Sequence, residues 1–383
     1  MHVAIIGAGA LGGWTAFELV RRGVRVTLVD AWGAGNVRSS SGGETRALRA
    51  VYGGDEPYTR LALESLDRWR QVEQEWGVTL FEPTGVLWMC RRDESYLRSA
   101  RRVLERLSWP LISMTADEVA ARYPRMATAD LHVAWLEPHA GLLHAERATR
   151  RVCQAVVEAG GSYLQAAVPG PVRPRSMMER GVKLSDGTVL SADAVLFACG
   201  PWLPRLFPDL LGRALNVTRQ PVLFLGTPAG DVGYADGCPV WLDWGERIHY
   251  GFPAGLQGFK VGDDTRGEAF EPTGGDRTVR PDEVAALRDA AIHRFPGLRD
   301  APVLGGRVCQ YTNTADGHLM VGPHPEDPRV WVAGGGSGHG FKLGPAVGRL
   351  LSAAMIDRTT LPDVWRLDRP TPTGPPRTQF DRG

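Results

Sequence analysis

Only three of the 44 basic side chains are lysines: Lys183, Lys260 and Lys342. An ammonium is a compact point charge whose pKa moves readily on burial, whereas a guanidinium is a planar fork that stays charged. In a chain that otherwise relies on arginine, each lysine is therefore a candidate for chemistry. Lys260 closes the run YGFPAGLQGFK and Lys342 closes GGGSGHGFK, both rich in glycine and carrying aromatics. Lys183, in GVKLSDGTVL, sits beside a hairpin signal and is expected at the surface. The five cysteines (Cys90, Cys153, Cys199, Cys238, Cys309) are odd in number, widely spaced and without a CxxC pair, which argues against a zinc site or a disulfide framework. A third candidate is GAGALGG near the N-terminus, with Gly7, Gly9 and Gly12 in GxGxxG spacing.

These groups need elements to position them. Residues 3 to 6 (VAII) read as a short buried strand, the stretch to about Arg22 as a helix, and VRVTLVD as a second strand ending at Asp30. Strand, glycine turn, helix and strand with a terminal acid form a dinucleotide-binding unit. The glycines let the backbone approach a pyrophosphate, the helix N-terminus offers free amides and a positive dipole end, and Asp30 can accept from a ribose hydroxyl. This unit alone leaves NAD and FAD open, and the rest leans to FAD. A Ser/Gly-rich loop (RSSSGGETR) leads into a long helix at about 57–77, where a minimal NAD domain would continue with another βαβ unit. Further helices are expected near 95–107 and 146–159, then a hairpin turning at Asp186 and Gly187, then the strand AVLFACG closing at Gly200. Residues 216 to 308 are again strand-rich. No internal repeats occur, and RPTPTGPPRTQFDRG at the end has little apolar content for packing.

The bulk numbers agree with an ordinary globular chain. At 383 residues and 43% hydrophobic it can bury a large core in two domains or one elaborated one. Its net charge of +1, with arginines interspersed among the acids, gives no footprint for nucleic acid. There is no apolar run of about 18 residues and no signal-peptide n-region. A soluble, cytoplasmic, monomeric protein with no membrane or nucleic-acid partner is expected.

The stretch GRVCQYTNTADGHLMVGPHP, followed by VWVAGGGSGHGFKLGPAVG, resembles the amine-oxidising flavoprotein family that includes monomeric sarcosine oxidase, N-methyltryptophan oxidase and pipecolate oxidase. GAGALGG, ETRALRAVYG, TGVLWM, LEPHAGLLHAE, IHYGFP and GFK add to the likeness in the family's order, from residue 3 to about 347. The resemblance implies an α/β fold, with a Rossmann-type FAD-binding domain assembled from 1–80, 139–215 and 309–368, and a mixed-sheet substrate domain from 81–138 and 216–308. The tail 369–383 is expected to be disordered or strapped to the surface. It also implies FAD carried covalently on Cys309, with Arg46 close to the flavin and aiding attachment, and Lys260 held over the ring where oxygen is reduced. Arg49 and Lys342 match a pair that grips the substrate carboxylate, and Tyr250 and Tyr311 match tyrosines lining the pocket. His339, in SGHG, matches a loop residue hydrogen-bonded near the flavin. Cofactor contacts are carried to Gly7, Gly9, Ala10, Leu11, Gly12, Asp30, Ser41, Thr45, Arg46, Gly200, Cys309, Gly336, Gly338, His339, Gly340 and Lys342.

The implied reaction oxidises the Cα–N or N-methyl bond of an amino-acid-like amine by hydride transfer to FAD. Dioxygen then yields hydrogen peroxide. A biosynthetic oxidase of a cyclic or primary amine acid is the alternative. An NAD-dependent dehydrogenase is opposed by the Cys309 context, and a flavin-bearing subunit without turnover by Arg49, Lys260 and Lys342. Three departures from the family pattern suggest a pocket larger than sarcosine requires. Ser41, Gly42 and Gly43 stand where relatives carry histidines, Asp264 replaces another histidine, and Gly336 replaces a phenylalanine. Trp241 and Trp244 are candidates for an apolar wall.

Overall fold

The computed structural model describes residues 1–92, 94–370 and 380. The N-terminal apolar run folds as strand β1 (His2–Ile6), followed by helix α1 (Ala10–Arg21) and strand β2 (Arg25–Asp30). β1 pairs in parallel with β2 on one side and with Ala194–Phe197 on the other. It is buried from end to end, so its sequence runs apolar without alternation. The sheet is completed by Ser162–Gln165 beyond β2, and by Asp327–Gly334 and Met320–His324 beyond Ala194–Phe197. The carboxyl ends of its central strands meet at the turn after β1, where a parallel sheet opens its ligand crevice.

A second sheet has eight strands, in the order Val303–Thr314, Leu215–Leu225, Gly258–Asp263, Ile248–Gly255, Val240–Trp244, Val86–Cys90, Val133–Glu137 and Ile112–Met114. Its pairs are antiparallel except Val240–Trp244 beside Val86–Cys90. A small sheet of Thr45–Leu48, Gly141–His144 and Phe81–Glu82 accompanies these two. The α/β expectation, a Rossmann-type unit with a mixed sheet, is met.

The long helix falls at Glu56–Trp76. Asp55 caps it by accepting from the Tyr58 amide (3.3 Å), and Gly77 ends it in the left-handed conformation at φ 61°. Tyr58, Ala62, Leu66, Trp69 and Val72 recur every three or four residues and are all buried, and the Trp69 indole donates to the Lys342 carbonyl (3.1 Å). That bond ties the helix to the loop carrying the third lysine. The other two expected helices form at Ser95–Arg106 and Ala145–Glu158, and the hairpin Val182–Leu190 turns through Gly187 at φ 88°. Lys183 is exposed there, as expected. No helix among the described residues is long and apolar enough to cross a membrane.

Most of the expected tail, 369–383, falls outside the described residues, namely 371–379 and 381–383. Arg369 is paired with Asp316 (2.7 Å) and Phe380 is buried. The Phe380 ring packs among Trp88, Tyr96 and Trp244, at centroid distances of 5.2 to 6.1 Å. One aromatic in an otherwise polar segment suffices when a cluster of rings awaits it.

Candidate functional site

Two adjoining clefts share Gly9, Ser40, Ser41, Ala198 and Gly200, so they form one continuous slot. One end reaches Asp30 and the other reaches Lys260, Cys309 and Lys342. The wall between is built from the turn after β1. Gly7 has φ 105°, and a Cβ there would collide with the Ala198 carbonyl; a Cβ at Gly12 would collide with the Gly7 carbonyl. Gly12 thus lets α1 start hard against the turn without itself lining the slot. Ser41 supplies the hydroxyl that the Gly9 cap lacks, accepting from the Ala10 amide (2.9 Å). At the far end of the turn Asp30 accepts from the Ala8 amide (2.9 Å) and the Trp32 amide (3.0 Å). Burial raises its carboxyl above the ordinary range, and these amides oppose the rise.

The other end carries a cluster of charge. Lys260 is only 3% exposed, on the strand Gly258–Asp263. Its ammonium donates to the Thr45 carbonyl (3.2 Å) and hydroxyl (3.3 Å), lies 3.7 Å from Glu44, and sits 4.8 Å above the Phe252 ring. Burial, helped by Arg46, lowers it to about 7, with Cys309 and Glu44 pulling the other way. Arg46 is fixed by donating to the carbonyls of Thr45, Ser40 and Gly42 at 2.7 to 2.9 Å. Cys309 stands opposite on Val303–Thr314. Burial alone would raise its thiol, but the cations of Arg307, Arg46 and Lys260 outweigh burial and hold it below the ordinary range. By contrast, burial pushes Cys153 and Cys238 up to about 12. Tyr250 and Tyr311 also line the cleft, and burial raises both phenols. The Tyr311 hydroxyl donates to Asp264 (2.8 Å).

Elsewhere in the cleft Arg49 and Lys342 approach one aromatic ring. Arg49 lies 5.0 Å and Lys342 5.1 Å from the Tyr52 ring, each 4% exposed and each facing the cleft. Arg49 also lies over Trp88 (5.0 Å) and Phe380 (5.5 Å) and donates to the Val51 carbonyl. Lys342 donates to the His339 carbonyl (3.4 Å). The His339 ring is gripped at both nitrogens, Nε2 by the Gly317 carbonyl (3.0 Å) and Nδ1 by the Tyr52 hydroxyl (3.2 Å). A carbonyl can only accept, so Nε2 carries a proton. Gly336, Gly338 and Gly340 complete the loop beneath.

The slot therefore brings together every residue expected to touch substrate carboxylate, oxygen or cofactor except Gly12, whose role is packing. Two expectations about the pocket are corrected. Trp241 is wholly buried on the opposite face of its strand, stacked on Phe259, because side chains alternate; Val240 and Leu242 face the cleft instead. Trp244 shares that inner face but joins the ring cluster around Phe380. Gly42 opens no space, since a Cβ there would collide with the Asn36 carbonyl, whereas Gly336 faces the cleft with ordinary clearance from Gly340.

Four residues of this region escaped the sequence reading. Arg307 pairs with Glu44 (2.8 and 3.2 Å) beside Cys309, and period-2 spacing could have revealed it. Glu137 is wholly buried, accepting from the Ala50 amide (2.8 Å) and the Trp88 indole (3.0 Å). Burial raises its carboxyl, while those donors and the charges of Arg49 and Lys342 counter the rise. Phe380 is the fourth.

Residues 2–354 match the family described as FAD dependent oxidoreductase. The chain is 29% identical over 378 residues to monomeric sarcosine oxidase of Bacillus sp. (strain B-0618), covering 96% of each chain. It is 28% identical over 371 residues to N-methyl-L-tryptophan oxidase of Yersinia pestis (strain Pestoides F), covering 94% of this chain and 96% of that one. Its fold is also that of L-proline dehydrogenase from P. horikoshii, with a TM-score of 0.80, 22% identity and 96% of each chain covered.

Proposed function

The chain belongs to the family of FAD-dependent oxidoreductases, and from that premise we propose that it is an oxidase of an amino acid bearing a secondary amine, with dioxygen as the electron acceptor. The observation that carries this reading is that Arg49 and Lys342, 5.0 and 5.1 Å from the same Tyr52 ring, line one cleft with Lys260 and Cys309. The first pair suits a carboxylate and the second suits a redox ring that must meet oxygen.

The residues present fit FAD. The slot is continuous, its acid stands at one end, a glycine-lined helix N-terminus lies midway, and a thiol held below its ordinary range waits at the other end. Asp30 would hold the ribose, the turn at Gly7–Gly12 the pyrophosphate, and Thr45, Arg46, Cys309 and Gly336–Gly340 the ring. When bound, FAD supplies the two-electron acceptor for the amine. Arg49 would orient the substrate carboxylate with its planar fork and Lys342 would add a point charge. Val240, Leu242 and Phe252 give the cleft apolar surface. Only a neutral amine can release hydride, so the cations of the clamp serve twice: they bind the acid group and disfavour a second positive charge nearby. Lys260 meets the negative charge that develops on dioxygen as it is reduced. The resulting imine hydrolyses in water.

Two consequences are testable here. Cys309 is expected to carry the flavin covalently, so protein matured with ample FAD stays yellow after denaturation and weighs one FAD more than the chain. Cys309→Ser is expected to release it. Complete release from the parent on acid precipitation would rule the bond out.

The pocket is expected to favour an amino acid bulkier than sarcosine, carrying an amine, guanidine or ring substituent. Gly336 leaves room, and Asp264 presents a carboxylate beside Tyr311. A panel of N-methyl, cyclic and primary amino acids, scored by peroxide release, is expected to rank sarcosine low in kcat/KM. Asp264→Asn is expected to lower kcat/KM for the preferred cationic substrate about tenfold to a hundredfold, the range of one charge-assisted hydrogen bond of ~1.5–3 kcal/mol. Sarcosine as best substrate, with no effect of Asp264→Asn on any compound, rejects this assignment of the pocket.

A further inference from the structure

Cys309 does not face the slot alone. On the same strand, Arg307 places Nη2 3.5 Å from the sulfur. The guanidinium cannot swing away, because Glu44 holds both terminal nitrogens at 2.8 and 3.2 Å. Gly43 supplies the space: with φ 92° it has no side chain, and a Cβ there would stand inside the guanidinium. Arg307 and Glu44 are each more than three-quarters buried as side chains, so their pairing is poorly screened. Glu44 in turn lies 3.7 Å from Lys260, joining the thiol and the lysine through one carboxylate.

We propose that Arg307, clamped by Glu44, is the residue that keeps Cys309 as a thiolate and so sets the rate at which the flavin is attached. This rests on the reading of Cys309 as the attachment site. In attachment Cys309 Sγ bonds to the 8α methyl carbon of the flavin. One S–H and one C–H bond break, one S–C bond forms, and two electrons and two protons pass in the end to dioxygen, giving hydrogen peroxide. Arg307 does not touch the reacting carbon; it is a positioning residue that acts through the thiol. The other charged or titratable groups about the sulfur are Arg46, Lys260, Tyr250 and Arg277. Among the described residues, Arg307 is the one that hydrogen-bonds the sulfur.

The test uses the full chain made under riboflavin limitation, as parent, Arg307→Met and Arg307→Lys. Alkylation of Cys309 by iodoacetamide is followed against pH by peptide mass spectrometry. FAD is then added in air and acid-stable flavin is measured with time. At neutral pH Arg307→Met is expected to alkylate about tenfold more slowly or worse, a loss of one pKa unit or more in thiolate character. Its alkylation midpoint is expected to rise, and its acid-stable flavin to form about tenfold more slowly. Arg307→Lys, which keeps the charge but not the two-nitrogen grip, is expected to fall between, and serves alone if Arg307→Met does not fold. Unchanged alkylation profiles in the variants, or equal attachment rates while the parent attaches flavin, overturn the inference. A parent that binds FAD but never holds it through acid overturns the attachment reading itself, and is recognised by shifted alkylation midpoints without acid-stable flavin in any chain.

Discussion

Lys260→Met is expected to slow reoxidation of the reduced flavin by dioxygen about a hundred- to a thousandfold, while anaerobic reduction by substrate changes far less. The magnitude is that of removing one pre-organised charge-stabilising donor from a dry site. Lys260 is suited to this role because burial brings it to about 7 and Thr45 fixes its direction. Negative charge appearing in the cleft then draws it to the ammonium form. Stopped-flow measurement of the two half-reactions separates the effects, and equal slowing of both would remove Lys260 from oxygen chemistry. The same burial has a thermodynamic signature. The folded chain binds the Lys260 proton less tightly than the unfolded chain does, so its penalty is complete below about pH 7 and fades as pH rises toward the ordinary lysine value. Lys260→Met is accordingly expected to raise Tm near and below neutral pH, and progressively less at alkaline pH.

Arg49→Ala and Lys342→Ala are each expected to raise the apparent Kd of the substrate about tenfold to a hundredfold, on the scale of ~1.5–3 kcal/mol per charge-assisted hydrogen bond. Simple carboxylates are expected to compete with substrate in the parent and to lose that ability in both variants. The two cations share the Tyr52 ring but approach it from separate segments. Their combined removal is therefore expected to be non-additive, as for neighbours with a common partner. Perturbation of the flavin spectrum by a carboxylate reads the affinity without turnover. A compound lacking any acid group that is oxidised equally well by parent and both variants contradicts the clamp.

Much of this was legible in the sequence because local rules and tertiary demands agree. GAGALGG between two apolar strands can form little other than a tight turn against a helix start, and Gly7 and Gly12 do have backbone where a Cβ would go. Two of the three lysines proved to be nearly inaccessible to solvent while the third is exposed. What was not legible depended on pairing between distant segments. Glu137 stands beneath Arg49 and Lys342 because Val133–Glu137 joins the large sheet beside Val86–Cys90, which no local pattern reveals. Phe380 belongs to a segment whose composition argues against burial, yet one ring finds three aromatic partners. Trp241 illustrates the converse: its neighbourhood suggested a pocket wall, and strand alternation turned it to the core. Arg307 was within reach, lying two residues before Cys309 and hence on the same side of the strand.

The most direct test is anaerobic mixing of the flavin-loaded protein with the panel of amino acids, following the yellow absorbance of the oxidised flavin. At least one amino acid with a secondary amine is expected to bleach it fully, yielding one equivalent of imine-derived carbonyl product, and admission of air is expected to restore the colour with one hydrogen peroxide per flavin. If dithionite bleaches the protein but no amino acid does, the proposed amine oxidation is wrong; if an amino acid bleaches it and air does not restore it, dioxygen is not the acceptor.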